Sequence, residues 1–455
     1  MLEVTIFLLM IVPGILLAIR GSNYVVDYTI LVFVFNREIR RLIDYHNQQF
    51  NPFSLISITP IIMLGLVFLG FVWNFGALGP RPKQIFLLLL GAIGYGMSVG
   101  VVKNGAACIF QGSQYLATIG MMGYAAVCPA DDKTADRWVK TAAVAAVLAA
   151  LYGWYQYYVI PDWDAFWVQQ VGFVGYLGKL ESTQMSVFST FAERGVCAAY
   201  MGLIAIPMLV SKRWKIGFGL PEAILVVSCI FLAMSRTGII VAILGAVLFP
   251  VLNKGKSSGR IVMIAALACA VLFAASSSIP GADRIMTRFE SLLHIQEDES
   301  FQGRINNSMT WPLIISNPIG FGIGSSGMSE RISGTNFGIS SDNGWMQIAT
   351  SLGIPGFLLF LGALALLWNY FSMLARSGVQ DDYLGLARTL FVVSIIFTWV
   401  NNFFVDFGIM WLIVGRVLSP LMIAKTDPEI REILEGQTAE ATSYVRVISK
   451  SVISK

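Results

Sequence analysis

The sequence predicts an all-α polytopic membrane protein of about 12 (12–13) transmembrane helices, and three observations predict it. Of 455 residues, 56% are hydrophobic and only 13% charged, where a soluble domain carries roughly one quarter charged residues. Apolar runs close to the ~20 residues that cross about 30 Å of hydrocarbon recur from end to end. Lysines and arginines gather on alternate short loops, as the excess of positive charge on the cytoplasmic side requires. The net charge of +4 therefore says little about nucleic acid, which is not expected as a partner. The lipid bilayer is.

The apolar segments follow in order near residues 4–19, 54–74, 85–101, 106–127, 139–160, 195–210, 218–234, 238–252, 261–279, 346–373, 386–404 and 408–424, with 24–36 apolar but short. The first has no basic flank before it and no small-residue cleavage site after it, so it reads as a retained helix rather than a removable signal. The clusters Lys133/Arg137/Lys140, Lys212/Arg213/Lys215 and Lys254/Lys256/Arg260, then Arg376/Arg388 and Lys425, can all be cytoplasmic at once. That places outside the aromatic loop 161–193, the turn near Phe404 to Asp406, and the long polar stretch 281–345 between the tenth and eleventh apolar segments. Arg37, Arg40 and Arg41 break the pattern. If every segment spans, they fall outside, and reading 24–36 as a half-span or interfacial segment leaves them unexplained. Residues 1–424 are expected to form one transmembrane domain with 281–345 as its external catalytic loop, and 425–455 a cytoplasmic tail opening with a short helix at Asp427-Pro428-Glu429.

Several chemistries lack residues. The five cysteines, Cys108, Cys128, Cys197, Cys229 and Cys269, lie in or at the edge of apolar segments with no paired spacing, which reads as packing rather than disulfides or zinc. His46 and His294 are the only histidines and neither has a partner at ligand spacing. No metal and no cofactor is expected. There is no P-loop, G-x-S-x-G or DxD to support a nucleotide-driven pump or a nucleotide-sugar transferase.

What stands out is a set of arginines at membrane edges. Arg194 follows Thr190-Phe191-Ala192-Glu193 at the outer end of a span, and Arg236 sits in Ser235-Arg236-Thr237-Gly238 at a break on the same side. An arginine costs about 2.5 kcal/mol or more at a helix centre and less near the interface, where it can snorkel. One such residue reads as well as an anchor as it does as a ligand. Two on one side, joined by Arg304 of the long loop, point to a shared anion, because the guanidinium fork suits pyrophosphate oxygens. Ser341-Asp342-Asn343-Gly344-Trp345 stands where the loop re-enters the membrane. Asp342 there can take a proton from an attacking hydroxyl, or Asp342 or Asn343 can cap the helix 346–373. Asn317-Pro318 and the glycines to Gly324 read as a turn packing the loop against the membrane. Pro161-Asp162-Trp163-Asp164-Ala165-Phe166-Trp167 offers Trp163 and Trp167 either to sugar rings or to an interfacial aromatic belt.

The order of these motifs carries a resemblance. Phe191-Ala192-Glu193-Arg194-Gly195, then Ser235-Arg236-Thr237-Gly238, Gly303-Arg304 with Trp311 beyond it, Asn317-Pro318-Ile319-Gly320-Phe321-Gly322-Ile323-Gly324, and Asp342-Asn343-Gly344-Trp345-Met346-Gln347 with Gly353-Ile354-Pro355-Gly356 together resemble the O-antigen ligase and O-antigen (Wzy-type) polysaccharide polymerase superfamily, over roughly residues 185–425. The resemblance implies a GT-C-like helical fold in the bacterial inner membrane with an active site facing the periplasm. It implies an undecaprenyl-pyrophosphate-linked glycan as donor, transferred to a hydroxyl without metal or nucleotide. Chain-length regulator and flippase proteins of the same pathway are the implied partners. Carried onto this chain, the pyrophosphate-binding arginines are Arg194, Arg236 and Arg304, and the catalytic position is Asp342-Asn343. Ligases of the family have His-Asn there, so Asp342 leans the reading toward a polymerase of repeat units. A ligase moving finished glycan to an acceptor is the first alternative. A flippase or transporter of the same lipid-linked glycan is the second, disfavoured because the ionisable residues cluster on one face rather than through two repeated halves.

Overall fold

Asp27 is buried near the start of a 23-residue helix and accepts from Arg137 Nε at 2.9 Å and Thr141 Oγ1 at 2.6 Å. Contacts of this kind, polar groups satisfied pairwise between otherwise apolar helices, organise the computed structural model of the protein. It describes residues 2–52, 54–128, 131–217, 219–253, 311–326, 343–406 and 408–426. In chain order the helices are α1 (Leu2–Ile19), α2 (Tyr24–His46), α3 (Thr59–Trp73), α4 (Pro80–Asn104), α5 (Ala106–Val127), α6 (Asp132–Val159), α7 (Asp162–Gln170), α8 (Val174–Leu177), α9 (Arg194–Val210), α10 (Leu220–Leu232), α11 (Arg236–Asn253), α12 (Trp311–Ser316), α13 (Gly344–Arg376), α14 (Asp382–Phe397), α15 (Phe403–Asp406), α16 (Gly408–Val417) and α17 (Pro420–Ala424). Among the described residues there is no strand, only a single bridge between Gly178 and Met185.

Six helices are long and apolar enough to cross a membrane: α1, α3 with the short turn before it, α4, α6, α11 and α13; α9 and α10 are apolar but shorter. The all-helical multi-pass reading stands at that level. The expected span 261–279, most of the loop 281–345 and the tail beyond Thr426 lie outside the described residues.

The segment 24–36 is corrected. It is the first half of α2, which continues without interruption through Arg37, Arg40 and Arg41 to His46. Hydropathy alone ended the segment at the first arginine. The helix continues because Arg40 and Arg41 have buried partners, so their charge does not force the chain into water.

The chain folds as two units. Unit 1 comprises residues 1–63 and 136–295, and unit 2 residues 64–135 and 296–455. In unit 1, α1 and α2 are tied by Tyr28 Oη donating to the Met10 carbonyl at 2.7 Å, while α1 leaves Leu9 (67%) and Ile19 (77%) exposed, as a lipid-facing helix would. Trp138 of α6 donates to the Asn23 carbonyl at 3.1 Å, and Asp136 holds Arg213 at 2.6 Å and Trp214 at 3.1 Å. The helices α9 and α11 cross at glycines. A Cβ on Gly202 would stand 2.5 Å from the Gly238 carbonyl oxygen, so the backbones touch and nothing larger fits.

In unit 2, α4 packs along α13 and α5 along α16, again through small residues: a Cβ on Gly96 would meet Leu352 at 2.6 Å, and one on Gly415 would meet the Met122 backbone. Asp132 takes Arg416 and, at 2.9 Å, Lys425, and Lys425 reaches Asp381 at 2.6 Å. The expected helix 346–373 is longer and broken. α13 runs Gly344–Arg376, but Gly353 is non-helical (φ 62°, ψ 179°), with Pro355 two residues on, so it is a short buried helix followed by a long one.

Candidate functional site

Arg194 opens α9 and Arg236 opens α11, in the same unit. The glycine crossing brings these first turns side by side, since Gly238 packs on the Ala198 carbonyl, one turn beyond Arg194. Ser186 links the two. Arg194 Nη1 donates to Ser186 Oγ at 3.3 Å, Ser186 Oγ donates to Met234 Sδ at 3.4 Å, and Met234 (φ 50°) precedes Arg236 by two residues. The Val187 amide donates to the Leu232 carbonyl at 3.0 Å, fixing the segment before Arg194 to the end of α10. The Arg194 guanidinium lies 4.1 Å over the ring of exposed Tyr176. Two helix N-termini, each with unsatisfied amides and the positive end of its dipole, thus carry an arginine apiece. That combination suits an oxyanion.

The segment leading to Arg194 is held by residues to which the sequence assigns no role in the site. Arg41 Nη1 and Nη2 donate to the carbonyls of Phe191 at 2.8 Å and Ser189 at 2.6 Å, while Arg41 Nε pairs with Asp164 at 2.8 Å and the same guanidinium meets Glu38. Asp164 also accepts from Tyr152 Oη at 2.7 Å and Gln156 Nε2 at 2.6 Å, and Gln156 Oε1 accepts from the amides of Phe188 and Ser189 at 3.0 and 2.8 Å. Burial pushes the Asp164 carboxyl up to about 6, with Arg41 pulling the other way. Ser189 is held at φ 52°, a conformation that side chains other than glycine rarely adopt, by these contacts from both sides. The signal was available in the sequence. Arginines on the wrong side of the positive-inside rule need a partner, and Asp164 was the buried acid waiting in the aromatic loop.

Of the two tryptophans of that loop, Trp167 is buried (7% exposed) among Phe173, Phe188 and Met185, with Arg41 over its ring. Trp163 is half-buried and its Nε1 donates to Glu38 at 2.7 Å and Tyr152 Oη at 2.8 Å. The face left for a glycan is therefore Trp163's.

In unit 2, Asn343 caps α13. Its Oδ1 accepts from the Met346 amide at 3.2 Å, its side chain is buried, and Gly344 sits so close to the backbone of Asn401 and Asn402 that a Cβ would fall 2.6 Å from the Asn401 oxygen. Asp342 and Arg304, the other two members of the expected site, lie outside the described residues.

The glycine-rich turn is the best-defined part of the long loop. Gly320, Gly322 and Gly324 all have positive φ (88°, 82° and 97°). Asn104 Nδ2, at the end of α4, donates to the carbonyls of Phe321 (3.0 Å), Gly322 (3.3 Å) and Ile323 (3.0 Å), and Lys103 Nζ reaches the Gly320 carbonyl at 2.7 Å. Gln111 of α5 accepts from the Gly324 amide and donates to Ser326 Oγ. At the break in α13, the Phe321 amide donates to the Thr350 carbonyl at 2.9 Å and the Ile354 amide to the Pro318 carbonyl at 2.8 Å. The turn thereby satisfies groups that the break at Gly353 exposes. The expected packing role of this turn holds.

Among the described residues no three His, Cys, Asp or Glu side chains are grouped to hold a metal, and Cys108, Cys128, Cys197 and Cys229 are free thiols. No curated protein and no solved structure matches the chain. A family model does. Residues 222–361, which include Arg236, the glycine turn, Asn343 and the break in α13, match the O-antigen ligase family, and the resemblance to the O-antigen ligase and polymerase superfamily is shown over that stretch.

Proposed function

We propose that the protein is an inner-membrane glycosyltransferase that polymerises undecaprenyl-pyrophosphate-linked oligosaccharide repeat units on the periplasmic side of the membrane. The observation that supports it best is the pairing of the first turns of α9 and α11, each opened by an arginine and joined through Ser186, together with the family match over the second of them.

Transfer from a lipid pyrophosphate needs the leaving group's growing negative charge neutralised. Arg194 and Arg236, fixed beforehand, supply a field that water would have to reorganise to match; Arg304 completes it. Asp342 takes the proton from the acceptor hydroxyl as that oxygen attacks the anomeric carbon and the carbon–pyrophosphate bond breaks. With no second carboxylate placed as nucleophile, the outcome is inversion. Asn343 holds the start of α13 under that aspartate through its cap, and Trp163 presents its ring to the glycan.

The ligase reading is favoured by the description of the matched family, and the polymerase reading by Asp342 standing where ligases of the resemblance have histidine. Deleting the gene and running surface glycans on a gel separates them. Single repeat units on otherwise normal acceptors mean polymerase; full-length chains left on the carrier mean ligase; repeat units retained on the inner face mean a flippase and overturn the enzymatic reading.

A further inference from the structure

Arg37, Arg40 and Arg41 occupy one face of α2 about 100° wide, since positions three and four residues apart on a helix are neighbours. Two of the three are satisfied. Arg40 pairs with Asp44 at 3.4 Å and donates to Ser57 Oγ at 3.0 Å and the Asn51 carbonyl at 2.7 Å, while Arg41 has Asp164, Glu38 and the carbonyls of Ser189 and Phe191. Arg37 has, among the described residues, neither a hydrogen bond nor an ion pair. Its strongest charged neighbours are Arg40 and Arg41, both positive. The nearby acids are committed elsewhere: Glu38 to Arg41 and Trp163, Asp44 to Arg40, Asp164 to Arg41, Tyr152 and Gln156.

Arg37 is wrapped by protein nearly as densely as Arg41, yet it keeps accessible surface where Arg41 keeps almost none. A residue enclosed but reachable lines a recess. A guanidinium in a recess, beside two further cations and with no acid of its own, is an unpaired charge that a protein retains at a cost unless something anionic enters. The recess belongs to a membrane-embedded unit, and the most abundant oxyanions at a membrane are phosphoryl groups of lipids.

We propose that Arg37 is an anion site for a lipid-borne phosphoryl group, in addition to the arginines at Arg194 and Arg236. The fork of Arg37 takes two phosphoryl oxygens, with Arg40 and Arg41 adding long-range attraction while they hold the walls. Two sources share this chemistry, the pyrophosphate of an undecaprenyl carrier and the headgroup of an anionic bilayer lipid. The proposal does not depend on catalysis, and its test reads binding rather than product.

The full chain is reconstituted in phosphatidylcholine nanodiscs and its melting temperature followed while undecaprenyl pyrophosphate, or in a separate arm phosphatidylglycerol, is added. Ligand that binds the folded protein raises the melting temperature with its concentration. Arg37→Gln is expected to weaken the response to one of the two probes by about tenfold to a hundredfold, and Arg37→Lys, which keeps the charge without the fork, to weaken it less. Loss of the response to undecaprenyl pyrophosphate assigns the site to the carrier, and loss of the response to phosphatidylglycerol assigns it to bilayer lipid. Without ligand, Arg37→Gln should melt no lower than wild type, because no partner is left behind. Unchanged responses to both probes overturn the proposal. So does a ligand-free Arg37→Gln protein that melts well below wild type or fails to fold, because that is the behaviour of a structural arginine.

Discussion

Arg41 and Asp164 meet at 2.8 Å with both side chains closed to solvent, 1% and 0% exposed. The pair joins α2 to the aromatic loop and, through Arg41's bonds to Ser189 and Phe191, sets the segment that ends at Arg194. Removing one partner of a buried pair leaves a stranded charge, which costs about 3 to 5 kcal/mol. Asp164→Ala should therefore lower the melting temperature markedly, whereas Asp164→Asn, which can still accept from Tyr152 or Gln156, should lose less. Equal melting of both variants and wild type in detergent would show that the charge of Asp164 is not needed to hold Arg41.

Arg194→Ala and Arg236→Ala should abolish polymer while protein abundance stays near wild type, because each arginine grips the leaving group and the fold does not depend on it. Lysine should rescue poorly at either position, a point charge lacking the bidentate fork. Abundance is read by immunoblot and polymer by gel. Normal chain length in either alanine variant makes that arginine an anchor.

At the start of α13 the two neighbours should behave differently. Asn343→Ala removes a cap and should cost about 1 kcal/mol, with Asn343→Asp nearly neutral. Asp342→Asn cannot take a proton, so it should lose on the order of 100-fold in rate while lipid-linked donor still binds. Purified protein with donor and EDTA present checks this. Full rate in Asp342→Asn removes it from the chemistry.

Gly322→Ala should destabilise by more than about 1 kcal/mol, since φ is 82° and a Cβ would run into the backbone of Gly100. Gly65→Ala, in α3 with open space around it, is the control and should be neutral or stabilising. Thermal unfolding that fails to separate the two would mean that the turn is not clamped against α4.

Orientation is tested by single-cysteine labelling in a background without native cysteines. Ser326 is a poor probe because it is buried against Gln111. Exposed Ser182 should label from outside in intact cells and exposed Lys133 only after permeabilisation. The reverse pattern inverts the topology and removes the active site from the periplasm.

The sequence was legible where periodicity and composition decide the outcome. The long apolar helices, the arginines at Arg194 and Arg236 and the glycine turn all follow from local rules, and the positions of Arg194 and Arg236 at the first residue of their helices come from the breaks that precede them. Other features depend on residues far apart in the chain. Hydropathy ended a segment at Arg37, because nothing local reveals that Asp164 will neutralise Arg41. Trp167 reads as a surface aromatic until Phe173 and Phe188 close over it. The break at Gly353 was hidden inside a continuous apolar run, and it is tolerated because the turn at Pro318 and Phe321 supplies partners from outside the helix.

Both ends of the segment between Ser326 and Asn343 are pinned within unit 2. Ser326 is tied to Gln111, and Asn343 and Gly344 are seated in the cap and against Asn401 and Asn402. Neither anchor draws on the side chains in between. The scaffold is therefore modular at this place. Acceptor preference can diverge by exchanging that one stretch while the helices keep their register, so a chimera carrying a relative's stretch between these two anchors should fold as the parent does and take on the relative's acceptor.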